Sequence, residues 1–332
     1  MSDFDVAMKV LFENDQAVAD VFNLCVCNGK KRIKASMVCP ASNNEVELFC
    51  RTNPGQHSKE LIKDAVRRIQ WNPDQPDDYL LLGLENQMQP HYLMPWRIHE
   101  SYHLSYGRQI RIIKREFVNN HHGCTPAEFL SKCFKGTKLI RCLTIVIYWG
   151  TEPWDAPRQF TEMLRPPPFA DVEKFDPVWT YPLLIPTEIP WEIIDDTEQI
   201  LKIALKYMWA LQSKKNLLAF MEGQTGYKKV PTSLAKGLLE IVGAKCLIDE
   251  KQETVNMCNV LQELRLEGVR DGEERGKIEG KLEGKLEERE ENARKVAAFY
   301  QAQSMPVQEV RSILKQMLQL DAELIDKVCP VS

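Results

Sequence analysis

Apolar residues recur at helical spacing over residues 5–24, at Val6, Val10, Leu11, Val18 and Phe22, which predicts one or two helices. Residues 28–53 read as short, mixed, β-like segments with a basic start at Lys30, Lys31, Arg32 and Lys34. A strand pair follows. DAVRRIQ (64–70) and YLLLGLENQ (79–87) flank the loop WNPDQPDD, whose two prolines and three aspartates stop both strands. Residues 96–117 predict a helix that HHGCTP (121–126) ends. LIRCLTIVIYWG (139–150) is nearly all apolar and predicts a strand buried on both faces. RPPPF then leads to a further extended segment, VWTYPLLIP (178–186). Strands with intervening helices predict a mixed α/β domain over residues 1–190.

The rest of the chain changes period and then composition. Residues 191–260 predict a helical extension. Residues 261–295 hold 20 charged residues among 35, with glycines at 268, 272, 276, 280 and 284. Each such glycine costs an isolated helix about 1 kcal/mol relative to alanine. Lys277, Lys281 and Lys285 form a like-charged column at i,i+4, as do Glu279, Glu283 and Glu287. A second helix could offset these costs, so this segment is expected to form a partly coiled-coil homodimer contact. Residues 296–332 predict a small terminal helical unit, broken near Ser304-Met305-Pro306.

Composition narrows the class. The 332 residues are 44% hydrophobic and 27% charged, enough to build a core. No apolar run approaches the roughly 18–20 residues that span a bilayer. The N-terminus MSDFDVAMKV has no signal-peptide profile, and the ten cysteines form no CxxC pair. A cytoplasmic protein with reduced thiols is expected. The net charge of −4 gives no global sign of a nucleic-acid binder. Locally the picture differs. Residues 28–68 carry nine basic side chains (Lys30, Lys31, Arg32, Lys34, Arg51, Lys59, Lys63, Arg67, Arg68) against four acids, Glu45, Glu47, Glu60 and Asp64. Arg108, Arg111, Lys114 and Arg115 form a second cluster. Phosphate binding needs such local cation density rather than whole-chain charge.

The candidate chemistry lies in the strand pair. The midpoint of Asp64 and Glu85 falls inside the proline-flanked loop, so a symmetric hairpin sets the two carboxylates opposite each other, about 5 Å apart at Cβ. Like charges there repel unless a cation sits between them, and an oxygen-rich site suits Mg2+ or Mn2+. The two-residue period puts Gln87 on the face of Glu85. The bland alternative is a hairpin whose acids simply face water.

DAVRRI, YLLLGLENQMQPHYLMPWR and LTIVIYWGTEPWDAPRQFTEML together resemble the Rpn family of recombination-promoting nucleases, also named YhgA-like transposases, of the PD-(D/E)XK superfamily. The resemblance spans residues 5–190, and the glycine-periodic segment is similar to that family's C-terminal region. It implies a restriction-endonuclease-like αβββαβ core and metal-dependent hydrolysis of DNA. Asp64 and Glu85 match the two acidic motif residues and would hold the metal. Gln87 stands where the superfamily has lysine and this family often has glutamine. Arg97, Tyr102, Tyr106 and Gln109 resemble a polar helix face that touches phosphate, and Lys63 and Arg67 would add charge beside the site. Lys63 stands where the family often has arginine, and Ala156 where it has glycine. A non-catalytic DNA-binding or interaction protein on the same fold remains the alternative. A third reading is a zinc protease, because His99-Glu100-Ser101-Tyr102-His103 spells HExxH. Its extended form would want glycine at 106 and histidine at 109, where the chain has Tyr106 and Gln109.

Overall fold

In the computed structural model, all residues are described except 1, 53–58, 62, 73, 76–77, 224, 245–247, 249–250, 318 and 331–332. The N-terminal pattern resolves into two helices, α1 (Asp3–Glu13) and α2 (Asp15–Val26). Ser2 closes α1 with a capping box, and the Asn14 side chain accepts from the first backbone N–H groups of α2. The β-like stretch over 28–53 becomes β1 (Val38–Pro40), α3 (Asn43–Glu47) and β2 (Cys50–Thr52), and β2 pairs with β3 (Lys59–Leu61), which lies beyond that stretch. Then come β4 (Ala65–Gln70), β5 (Tyr79–Gln87), α4 (Met94–Asn120), α5 (Pro126–Ser131), β6 (Arg141–Tyr148) and β7 (Leu183–Leu184).

The main sheet has five strands in the order β1-β4-β5-β6-β7. β1, β4 and β5 form an antiparallel meander, and β6 and β7 continue it in parallel. The long helix α4 is the crossover between parallel β5 and β6, as such a connection requires. Leu80–Leu84 of β5 and Ile145–Tyr148 of β6 are buried, so the apolar runs of the sequence lie at the sheet centre. Phe4 of α1 meets Trp149 edge-on at the end of β6, and Met94 and Ile98 of α4 pack with Val146 and Tyr181.

The helical extension comprises α6 (Trp191–Asp195), α7 (Gln199–Ala210), α8 (Lys214–Gly223) and α9 (Thr232–Ile241), with a two-stranded pair, β8 (Val230–Pro231) and β9 (Thr254–Val255). It joins the sheet in one compact unit, Met1–Gln262. Gly237 of α9 explains how: a Cβ there would lie 2.3 Å from Ala7 Cβ of α1, so only glycine permits this approach.

The second unit is Glu263–Ser332. The glycine-periodic segment lies in one helix, α10 (Met257–Ala302), and among the described residues no atom outside the helix's own local backbone lies within 4 Å of where a Cβ would stand at its five glycines. Ala293 and Ala297 of α10 pack with Val310 and Leu314 of α11 (Val307–Met317) and Ile325 of α12 (Ala322–Val328). The break expected near Ser304 is the turn between α10 and α11, where Ser304 takes a left-handed φ of 60°.

Candidate active site

The β4–β5 ladder runs from Gln70↔Tyr79 to Ala65↔Leu84, the symmetric register that would set Asp64 against Glu85. One residue further the register steps. The Asp64 N–H donates to Leu84 O at 3.0 Å, although Ala65 is the ladder partner of Leu84. Two residues of one strand thus face one of the other, a β-bulge. Lys63 consequently meets Glu85: its Nζ donates to Oε2 at 3.4 Å. Asp64 turns instead to Asn86, accepting its backbone N–H at 2.6 Å and its side-chain amide at 3.1 Å, both on Oδ2. The expected face-to-face carboxylate pair is therefore corrected to neighbours, with a lysine directly against the glutamate.

Glu85 is 2% exposed and fully engaged. Oε1 accepts from Gln87 Nε2 at 3.1 Å, as the two-residue period predicts, and from the Arg97 guanidinium of α4. The Lys63 stem crosses β5 at Gly83, where a Cβ would lie 3.2 Å from Lys63 Cγ and Cδ and from Thr144 Oγ1. Burial pushes the Glu85 carboxyl up, against the pull of Lys63 and Arg97, and pushes the Lys63 ammonium down, against the pull of Glu85. Both shifts run towards the neutral forms, so lost hydration outweighs mutual attraction. Asp64 is exposed as a residue yet set in a dense neighbourhood. Lost hydration pushes its carboxyl up, the Asn86 donors pull it down, and the Asp5 carboxylate adds a smaller upward push. A cleft of about 270 Å³ opens on the Asp64 side, between it and α1, lined by Asp5, Met8, Lys9, Phe12, Asp64 and Asn86, and Glu85 is not part of this lining.

Asp64 and Glu85 offer only oxygen donors, the kind a hard divalent cation takes. Among the described residues no group of three or more His, Cys, Asp or Glu side chains is placed to hold a metal. A cation at this pair would complete its shell with water and substrate oxygens, as Mg2+ commonly does.

The other residues proposed from sequence lie elsewhere. Arg67 pairs with Asp15 and donates to Phe12 O at 3.2 Å, which ties β4 to the α1–α2 junction. Three members of the polar α4 face serve β6. The backbone N–H of Cys142 donates to Tyr106 Oη at 3.1 Å, and that of Thr144 to Tyr102 Oη at 2.8 Å. Gln109 accepts from Ile140 N at 2.7 Å and donates to Ile140 O at 3.1 Å. Among the described residues strand β7 pairs with Val146 and Ile147 of β6, so these side chains satisfy the β6 edge that β7 does not reach.

His99 and His103 share one face of α4, but the His99 ring stacks on Trp179 with centroids 3.3 Å apart. Burial pushes the His99 pKa down. Sequence reasoning missed the Lys63–Glu85 pair and the part of Asp5 and Asn86. The one available signal was the Lys63-Asp64 dipeptide, whose two charges a bulge separates. Comparison with protein-family models, curated proteins and solved structures found no match.

Proposed function

We propose that this chain is a metal-dependent DNA endonuclease of the recombination-promoting type, with a restriction-endonuclease-like core. The carrying observation is the antiparallel β1-β4-β5 set followed by the crossover helix α4 and parallel β6, with Asp64 just before β4 and Glu85 near the end of β5. Asp64 and Glu85 would hold Mg2+ or Mn2+. When bound, the cation supplies Lewis acidity to the phosphate and lowers the pKa of an attacking water. Gln87 holds the Glu85 carboxylate in orientation. Lys63 donates to the buried Glu85 carboxylate and holds it in place from the other side. Self-association through residues 261–295 belongs to the same proposal. It is supported by the exposure of Ile278, Leu282 and Leu286, one apolar column of α10.

The second reading is a DNA-binding or interaction protein without catalysis. It is favoured by one observation: both oxygens of Glu85 already accept from protein donors. Supercoiled plasmid incubated with the purified chain separates the two. Nicked and linear products in Mg2+ or Mn2+, abolished by a chelator, are expected. Intact plasmid in both ions would leave the second reading.

A further inference from the structure

The three donors on Glu85 are not equivalent. The Lys63 side chain is 1% exposed and its stem is threaded over Gly83, so it has no path to water. Gln87 is neutral and leaves room in the charge balance. The Arg97 side chain is 42% exposed and stands on α4, outside the strand pair. A half-exposed guanidinium keeps most of its hydration and loses little on letting go, whereas a stranded buried ammonium loses much. Arg97 pairs directly with Glu85, the carboxylate that Lys63 and Gln87 also hold. It occupies the position of a cation.

We infer that Arg97 is a resident counter-ion of this pair, exchanged for the divalent cation when the site loads. The inference rests on the endonuclease reading. Two carboxylates, Lys63 and Arg97 balance to zero, and a divalent ion added beside Arg97 would leave two uncompensated positive charges next to the buried Lys63–Glu85 pair. Exchange leaves one, which a single phosphodiester charge neutralises. The released guanidinium, still anchored to α4, has the fork geometry that grips phosphate oxygens. Metal loading and phosphate capture are thereby linked through one side chain.

The test is Mn2+ affinity, measured on the full-length protein by paramagnetic resonance of free Mn2+. Arg97→Met keeps the apolar stem and removes the competitor, and circular dichroism checks its fold. It is expected to bind Mn2+ at least about tenfold more tightly than wild type. Arg97→Lys keeps a competing charge and should stay within about threefold of wild type. Added Asp64→Asn should abolish the gain in Arg97→Met, which ties it to this pair. If wild type binds Mn2+ and Arg97→Met binds no better, the exchange is wrong while the endonuclease reading stands. If neither binds at millimolar Mn2+, both fall.

Discussion

Gly83 is the residue on which the site turns. Its missing side chain is the space that the Lys63 stem occupies, with Lys63 and Thr144 atoms 3.2 Å from the vacant Cβ position. Gly83→Ala should therefore destabilise the chain by about 1–3 kcal/mol, the usual cost of overpacking. Urea unfolding measures this, and a variant as stable as wild type would show that Lys63 does not need the channel. Asp64 carries a pH prediction. Its folded pKa is raised above the unfolded value of about 3.9. A raised carboxyl contributes stability that is complete below the unfolded pKa and lost as pH rises through the folded one. The Asp64 contribution should fall as pH rises above about 4, so the stability of wild type relative to Asp64→Asn should decline over that range in thermal melts. Equal slopes would contradict the shift. The sequence pointed to Asp64, Glu85 and Gln87 as neighbours, because alternation and a symmetric loop fix register. It could not reveal the bulge, where the Asp64 side chain accepts the Asn86 N–H.

Helix α4 shows what a helical face can conceal. Tyr102, Tyr106 and Gln109 read in sequence as polar groups awaiting phosphate, and in the fold they accept the unpaired backbone of β6. That use depends on β7 being only two residues long, which no local pattern in 139–150 encodes. Tyr102→Phe should leave the Thr144 N–H unsatisfied and cost about 1–3 kcal/mol. A drop in DNA affinity at unchanged stability would instead return Tyr102 to phosphate contact. The elements themselves were largely readable. The two N-terminal helices, the strand pair, α4, the buried β6 and the break before α11 all follow from apolar spacing and from proline and glycine placement. The short pieces between residues 35 and 52 were legible only as β-like and β3 was not read at all, since three-residue strands and a five-residue helix carry too few positions to show a period.

At the scale of the whole molecule, charge changes meaning again. The basic excess over residues 28–68 looked like a phosphate-binding surface, but much of it is matched internally. Lys31 lies 3.9 Å from Asp196 and Arg68 3.7 Å from Glu45, while Lys63 and Arg67 hold Glu85 and Asp15. The side chains of Arg51 and Lys59 lie outside the described residues. Lys30, Arg32 and Lys34 are exposed after α2, and Arg111, Lys114 and Arg115 are exposed on α4. The proposed dimer is tested at this scale too. Light scattering on the full chain should give twice the monomer mass at micromolar concentration, falling to one when residues 261–332 are removed. A monomeric full chain would remove the contact.

The central claim is that Asp64 and Glu85 together hydrolyse phosphodiesters, and cleavage rate in matched variants tests it most directly. With supercoiled plasmid in Mg2+, Asp64→Ala and Glu85→Gln should each cut at least about 100-fold more slowly than wild type, the scale of losing charge stabilisation in a transition state. Cleavage by either variant at the wild-type rate would contradict the site.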